Sequence, residues 1–436
     1  MLDNRMLDNG MLDSAIAGKI KDAVDAGFDE QVDFTGELVK FPSRRGREHT
    51  AQDFMARAMR DQGLAVDRWQ IDVEQISHLP GFSPVYTDYD NAFNVVGSHR
   101  VEDPKGHSLI LNGHIDVVPE GPVEMWTSPP YEPRIEDGWM YGRGSGDMKA
   151  GLVGAMYALK ALQNLGLKPA ADVYLQSVVE EECTGNGALA CIARGYRAEA
   201  ALIPEPLGDS LIRAQLGVMW LQIKVQGIPV HVAYAGSGSN AIDAAFVLIQ
   251  GLKQLEVKWN AQRSGQPHYA DHDHPINFNV GKIEGGDWAS SVPSWCVFDL
   301  RVAVYPGDDL AARRAELEDC IRDAASQDAF LRNAPPQVTY HGLMAEGYIL
   351  QNADEAEAVL GRAHRAAYGA ELPIVATTAT TDARFFGLYA DTPGLVYGPL
   401  SDAIHGFDER VNLESVRQNT QAMALFIAEW CGLEEL

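Results

Sequence analysis

Apolar residues along the chain follow two rhythms. Residues 29–41 and 48–63 space them three and four apart, the period of a helix with one buried stripe, and Gly63 closes the second just before the strand-like LAVDRWQID. A stretch rich in Pro, Gly and Tyr then predicts a long loop up to Asn91, and NAFNVVGSHR resumes as a strand. HSLILNGHIDVVP has few polar positions, the pattern of a central strand buried on both faces, and Pro119 stops it. In GRGSGDMKAGLVGAMYALKALQNLG, glycine punctuation ends at Asp147, Leu152, Met156, Leu159 and Leu162 mark a helix face, and Gly166 ends the helix. ADVYLQSVV and AEAALIPEP read as strands with a helix between them. Strands alternating with helices predict an α/β layer with a mostly parallel sheet.

The texture changes near residue 217. GVMWLQIKVQG alternates like a half-exposed strand, NAIDAAFVLIQGLKQL is helical, INFNVGKIEGG and SWCVFDLRVAVYP are strands, DDLAARRAELEDCIRDAA is a charged amphipathic helix, and QVTYHG adds a strand. This β-α-β-β-α-β order predicts an inserted ferredoxin-like α+β domain of roughly a hundred residues. The expected division is a mobile extension over 1–28, a first domain split into 29–216 and 344–436, and the insertion over 217–343. The extension repeats MLD three times and lacks the basic head and apolar run of a secretory signal.

Charge narrows the partners. A formal net charge of -26 argues against nucleic acid and against an acidic membrane surface. No run of 18 apolar residues occurs, so no membrane span is expected. Five scattered cysteines with no C-x-x-C pair suggest reduced thiols and a cytoplasmic location.

Chemistry in open parallel sheets collects at the carboxyl ends of strands, and several polar residues fall at such ends. His114 and Asp116 are two apart, a spacing that shares one strand face, although an isolated His-x-Asp is usually no more than a polar pair. Asp147 follows the glycine-rich turn, where a helix cap is the ordinary reading. Glu180, Glu181 and Glu182 follow an apolar strand rather than a helix face, Glu205 is held between Pro204 and Pro206, and His405 lies in a loop after a further strand. Two imidazoles with several carboxylates form a mixed nitrogen and oxygen donor set, suited to Zn, Mn or Co.

The ordered series GHIDVV, GRGSGDMKAG, VVEEECTGNGA, PEP and a final His followed by Asp-Glu resembles the dinuclear metallopeptidase and deacylase family. That family includes aminoacylase-1, acetylornithine deacetylase, succinyl-diaminopimelate desuccinylase and carboxypeptidase G, and the resemblance runs from about residue 30. It implies a zinc-exopeptidase-like catalytic domain, with the insertion serving as a lid and homodimerisation domain. It further implies two divalent ions, Zn foremost, with His114 on one ion, Asp147 bridging, Glu182 on the second, Glu205 on the first and His405 on the second. Glu181 would be the general base, and Asp116 would orient the His114 ring. The resemblance also implies a cis Asp147-Met148 peptide. His231, in GIPVHVAYAG, matches a lid histidine that reaches the partner subunit's site and stabilises the oxyanion, although the residues after it depart from the family pattern. Arg301 matches an arginine that holds a substrate carboxylate, with Asn279 a neighbour; a salt bridge to Asp299 is the plain alternative.

The expected activity is hydrolysis of a small-molecule amide, foremost an N-acyl amino acid. A dipeptidase or carboxypeptidase, or a hydrolase of an aromatic or heterocyclic amide or amine, is the alternative. A non-catalytic binding protein on the same scaffold should have lost a ligand or the base, and none is lost. Three further features carry plainer readings: His268, His272 and His274 as a solvent loop, Cys183 as packing, and Thr381 with Asp382 as support for His405 or the substrate. Tyr86 and Tyr89, in the long loop, are candidates for the pocket wall.

Overall fold

The computed structural model describes residues 7–8 and 11–436, so the reading of residues 1–6 and 9–10 as a mobile extension lies outside the described residues. The remainder of that reading is corrected. Helix α1 spans Ser14–Val39, with the Asp13 carboxylate accepting the backbone N–H groups of Ala15 and Ile16 at its start. Its buried stripe of Ile20, Val24, Gln31, Thr35 and Leu38 begins well before residue 29. Gly18 and Gly27 weaken the helical signal in sequence, yet both have open space beside them and are tolerated. Helix α2 (His49–Asp61) follows, and the long loop contains one short helical turn, Val73–Ile76.

The main sheet has six strands. In chain order they are β1 (Ala65–Gln70), β2 (Phe93–His99), β3 (Leu109–His114), β4 (Val173–Val178), β5 (Ala200–Ile203) and a strand at Gly394–Val396. Across the sheet the order is Gly394–Val396, β5, β3, β4, β2, β1. The first four run parallel, and β2 and β1 extend the sheet antiparallel at one edge. Every residue of β3, β4 and β5 is buried, because helices cover both faces of a parallel sheet and leave no solvated side. Helix α3 (Ala150–Asn164) packs against α1 and against the C-terminal helix Leu413–Trp430.

The inserted region forms a four-stranded antiparallel sheet from Gly217–Gln226, Phe278–Gly285, Trp295–Val304 and Gln337–Ala345. Taken as strands one to four, they lie in the order two, three, one, four, which is the ferredoxin-like arrangement. Its helices, Ala241–Asn260 and Leu310–Gln327, cover one face and close a second hydrophobic core around Leu221, Leu248, Trp259, Phe298 and Leu317. The opposite face is polar and looks toward the carboxyl ends of the parallel strands. No helix among the described residues is long and apolar enough to cross a membrane, and all five cysteines are unpaired.

Candidate active site

The parallel strands end where the polar residues begin. His114 is the last residue of β3, Glu181 and Glu182 sit in the turn after β4, Glu205 follows β5, and His405 lies in the loop beyond Gly394–Val396. Asp147 comes from the turn ahead of α3, not from a helix cap, since the helix begins three residues later and has no side-chain cap. The Asp147-Met148 peptide is cis, as the resemblance implied. Gly151 lets α3 close on the β5 loop: a Cβ there would lie 2.0 Å from the Pro204 carbonyl oxygen, so any larger residue would push Glu205 away from Asp147.

Two groups of donors result, one of His114, Asp147 and Glu205 and one of Asp147, Glu182 and His405, with the donor atoms of each group within 4.8 Å of one another. Asp147 belongs to both. Its Oδ1 is 3.0 Å from His114 Nε2 and its Oδ2 3.3 Å from His405 Nε2. Glu205 Oε2 lies 3.7 Å from His114 Nε2, and Glu182 Oε1 lies 3.1 Å from His405 Nε2. Glu181 is beside the first group, with Oε2 4.0 Å from His114 Nε2. Four carboxylates around two imidazoles leave a surplus of negative charge in a largely buried place, and the surplus shows in the titration of Glu205, Glu181 and both imidazoles. Burial pushes Glu205 up to about 7 and Glu181 well above the usual carboxylate range. The Glu182 charge, helped by Asp147, raises His405 to about 11. Burial opposes protonation of His114, but Glu205, Asp147 and Glu181 outweigh it and raise that imidazole as well. A pair of divalent cations relieves this surplus, and the imidazole and carboxylate donors fit such ions.

Asp116 lies next to His114, but through different atoms from those expected. The His114 Nδ1 donates to the backbone carbonyl of Asp116 at 2.9 Å, whereas the carboxylate is 3.7 Å away. That carboxylate accepts the backbone N–H groups of Glu181 and Glu182, at 3.3 and 3.1 Å. It therefore positions the turn that carries both glutamates. Thr381, expected to support His405 or the substrate, lines the cleft. Thr381 donates to Gln215 at 2.7 Å, and burial pushes the Asp382 carboxyl up to about 8 against the opposing charges of His114 and Arg384.

Two supports were not legible as such in the sequence. Glu409 Oε1 accepts the N–H groups of Gly144, Gly146 and Asp147, while its Oε2 takes Arg143 Nη1 at 2.5 Å. Glu180 takes a bidentate Arg45 at 2.5 and 2.6 Å and the Tyr89 hydroxyl at 2.7 Å, so this member of the acidic triplet braces the long loop. Tyr89 is thereby buried, and only Tyr86 of the two lines the cleft.

The cleft, of about 530 Å³, lies between the two donor groups and the polar face of the inserted sheet, and Trp220, Asn279, Asp299, Arg301 and His341 line its far side. Asn279 and Arg301 are directly paired across neighbouring strands. Arg301 makes no salt bridge with Asp299; it donates to the Thr378 carbonyl at 3.3 Å, and Asp299 takes Gln222 at 2.8 Å. His231 is exposed, caps a short turn at Ala233, and is absent from the cleft of its own chain. In the histidine-rich loop, His274 contacts the buried Glu256 at 3.1 Å and Tyr269 is buried, so part of that loop is anchored and not merely solvated.

The sequence profile of Peptidase family M20/M25/M40 matches residues 110–429. The protein belongs to that family. Among its M20 relatives, the N-formyl-4-amino-5-aminomethyl-2-methylpyrimidine deformylase of Halalkalibacterium halodurans is 28% identical over 436 residues, covering 94% of this chain and 97% of the relative. The succinyl-diaminopimelate desuccinylase of Azoarcus sp. is 31% identical over 325 residues, covering 71% and 79% of the two chains. Human carnosine dipeptidase 1 shares the fold at a TM-score of 0.75 and 16% identity, over 95% of this chain and 99% of that one. This M20 protein is a metal-dependent hydrolase of amide bonds.

Proposed function

We propose that the protein removes an acyl group from the nitrogen of a small amide at a dinuclear centre. The observation that carries this is the double engagement of Asp147, whose two oxygens face His114 and His405 separately. His114 and Glu205 would complete one ion's ligands and Glu182 and His405 the other's, with Zn the favoured metal and Mn or Co as substitutes. Two divalent ions bound there would polarise the scissile carbonyl and acidify water. Glu181, close to His114 but outside both donor groups, takes the proton from the attacking water and delivers it to the departing nitrogen.

The inserted domain supplies two further parts of this reading. Arg301, without an acidic partner among the described residues, and its neighbour Asn279 hold a substrate carboxylate or the acyl oxygen. His231 serves the partner subunit's site in a homodimer formed through the lid, which accounts for its distance from the cleft of its own chain. An N-acyl amino acid is one substrate type that this arrangement accepts. The nearly full-length match to the deformylase favours a second, a short acyl group on an aminomethyl heterocycle.

The test is release of free amine from N-formyl, N-acetyl and N-succinyl amides and from dipeptides. The enzyme is stripped with chelator and then reconstituted with Zn, Mn or Co. Metal-restored release from the acyl amides is expected. Release from none of them, with two ions bound per chain, would overturn the acyl-removal reading.

A further inference from the structure

The inserted sheet offers the cleft more than a carboxylate clamp. Asp299 and Arg301 are two residues apart on one strand and so share a face, close enough for the long arginine to reach the acid. The chain instead holds them apart. Arg301 is drawn to the Thr378 carbonyl, and Asp299 is held on its other side by Gln222, through Oδ1 alone. Lys282, opposite Asp299 on the neighbouring strand, pairs with Glu284 at 2.8 Å. The charge of Asp299 is thus left facing the cleft with no cationic side chain bound to it, and its second oxygen has no partner.

Aromatic groups line the same cleft as that carboxylate. His341 Nε2 is 3.7 Å from Asp299 Oδ1, too far for a hydrogen bond, and neither ring nitrogen of His341 has a partner. The Tyr86 ring, half exposed, meets His341 edge-on at a centroid separation of 4.6 Å. Trp220, also on the cleft, lies under Gly342, where a Cβ would come within 2.5 Å of the indole; that glycine, at φ +74, lets the strand bulge over the ring. The Arg45 guanidinium already sits over Tyr86, 4.4 Å from the ring centroid. A second cation beside the same ring would be repelled by it, whereas a neutral flat ring would not.

Resting on the amide-hydrolase reading, we infer that Asp299, Tyr86 and His341 form the specificity subsite for the amine half of the substrate. The group it takes is a neutral planar ring carrying an N–H donor, such as an amino-substituted aromatic ring or heterocycle. The ring packs on Tyr86 and Trp220 and its N–H donates to Asp299. An analogue lacking that donor leaves the carboxylate dehydrated and unpaired, which is the physical basis of discrimination.

The metal-loaded enzyme is assayed on three formamides: para-aminobenzyl formamide, benzyl formamide and a mono-formylated alkyl diamine. Calorimetric binding of the corresponding amines is measured alongside. The expected result is a preference of roughly 10- to 100-fold for the amino-substituted ring over the plain ring, in kcat/KM and in amine affinity. Asp299→Asn should reduce that preference to about 2-fold or less, and Tyr86→Leu should weaken both rings more than the alkyl compound. Equal treatment of the two rings by the wild type, or a preference for the alkylammonium, would overturn the subsite. If no amide is cut while the amines are still discriminated, the subsite stands and it is the hydrolase reading that fails.

Discussion

Glu409 Oε1 accepts the backbone N–H of Asp147 at 3.0 Å, across 262 residues of chain. The same oxygen takes Gly144 and Gly146, so one carboxylate fixes the turn that presents the residue shared by both donor groups. Its other oxygen takes a nearly inaccessible Arg143.

Replacing Glu409 by Ala strands the Arg143 charge and frees the turn. Removing one partner of a buried pair costs about 3–5 kcal/mol, so a large fall in thermal midpoint is expected from calorimetry. Glu409→Gln keeps an acceptor for the turn and should retain more activity than the alanine variant. Equal activity in the two variants would mean that Glu409 supports only the fold.

In the proposed mechanism the proton transfers rest on Glu181. Glu181→Gln should lower kcat by about a hundred- to ten-thousand-fold while the metal content stays at the wild-type level. Loss of metal together with activity would instead make Glu181 a ligand.

The α/β frame and the ferredoxin-like insertion were legible because buried parallel strands read as continuous apolar runs and half-exposed ones alternate. The polar residues at strand ends were legible for the same reason, since a change from apolar to acidic marks where a strand stops. What could not be read were contacts between side chain and backbone. The spacing of His114 and Asp116 places them together, but whether the carbonyl or the carboxylate of Asp116 meets the ring depends on how the chain turns after β3. Glu409 and Glu180 find partners far along the chain, and no periodicity encodes such pairs. The start of α1 was missed because its buried residues are separated by glycine, alanine and charge, so that packing rather than propensity decides it.

His107 provides a test of electrostatics away from the two donor groups. The hydrogen bond that His107 donates to the Glu199 carboxylate, at 2.8 Å, is the largest cause that raises this imidazole above its ordinary value, with Glu355 at 3.4 Å assisting. A raised folded value means that the protonated form binds its partners only in the native state. The stabilisation is therefore fully present below the unfolded value of about 6.5 and is lost as pH rises through the folded value. The site is partly exposed, so the effect is small. The melting-temperature difference between wild type and His107→Gln should be greatest near about pH 5.5 and should shrink toward about pH 9. A difference that grew with pH would show the wrong sign.

Metal stoichiometry separates the two donor groups. If His114 and Glu205 hold one ion and Glu182 and His405 the other, His114→Ala and His405→Ala each remove one unshared imidazole and leave the opposite group whole. Elemental analysis after dialysis should then find about one ion per chain in either variant, against about two in the wild type. Asp147→Ala removes the one ligand common to both groups and should retain neither ion tightly. His405 is the more exposed imidazole, with 52% of its side chain accessible against 1% for His114, so the ion it shares with Glu182 should exchange faster. Chelator should strip the wild type in two phases, and the fast phase should disappear in His405→Ala. A single phase in the wild type, with both ions leaving together, would show that bridging by Asp147 couples the two positions more strongly than their separate burial divides them.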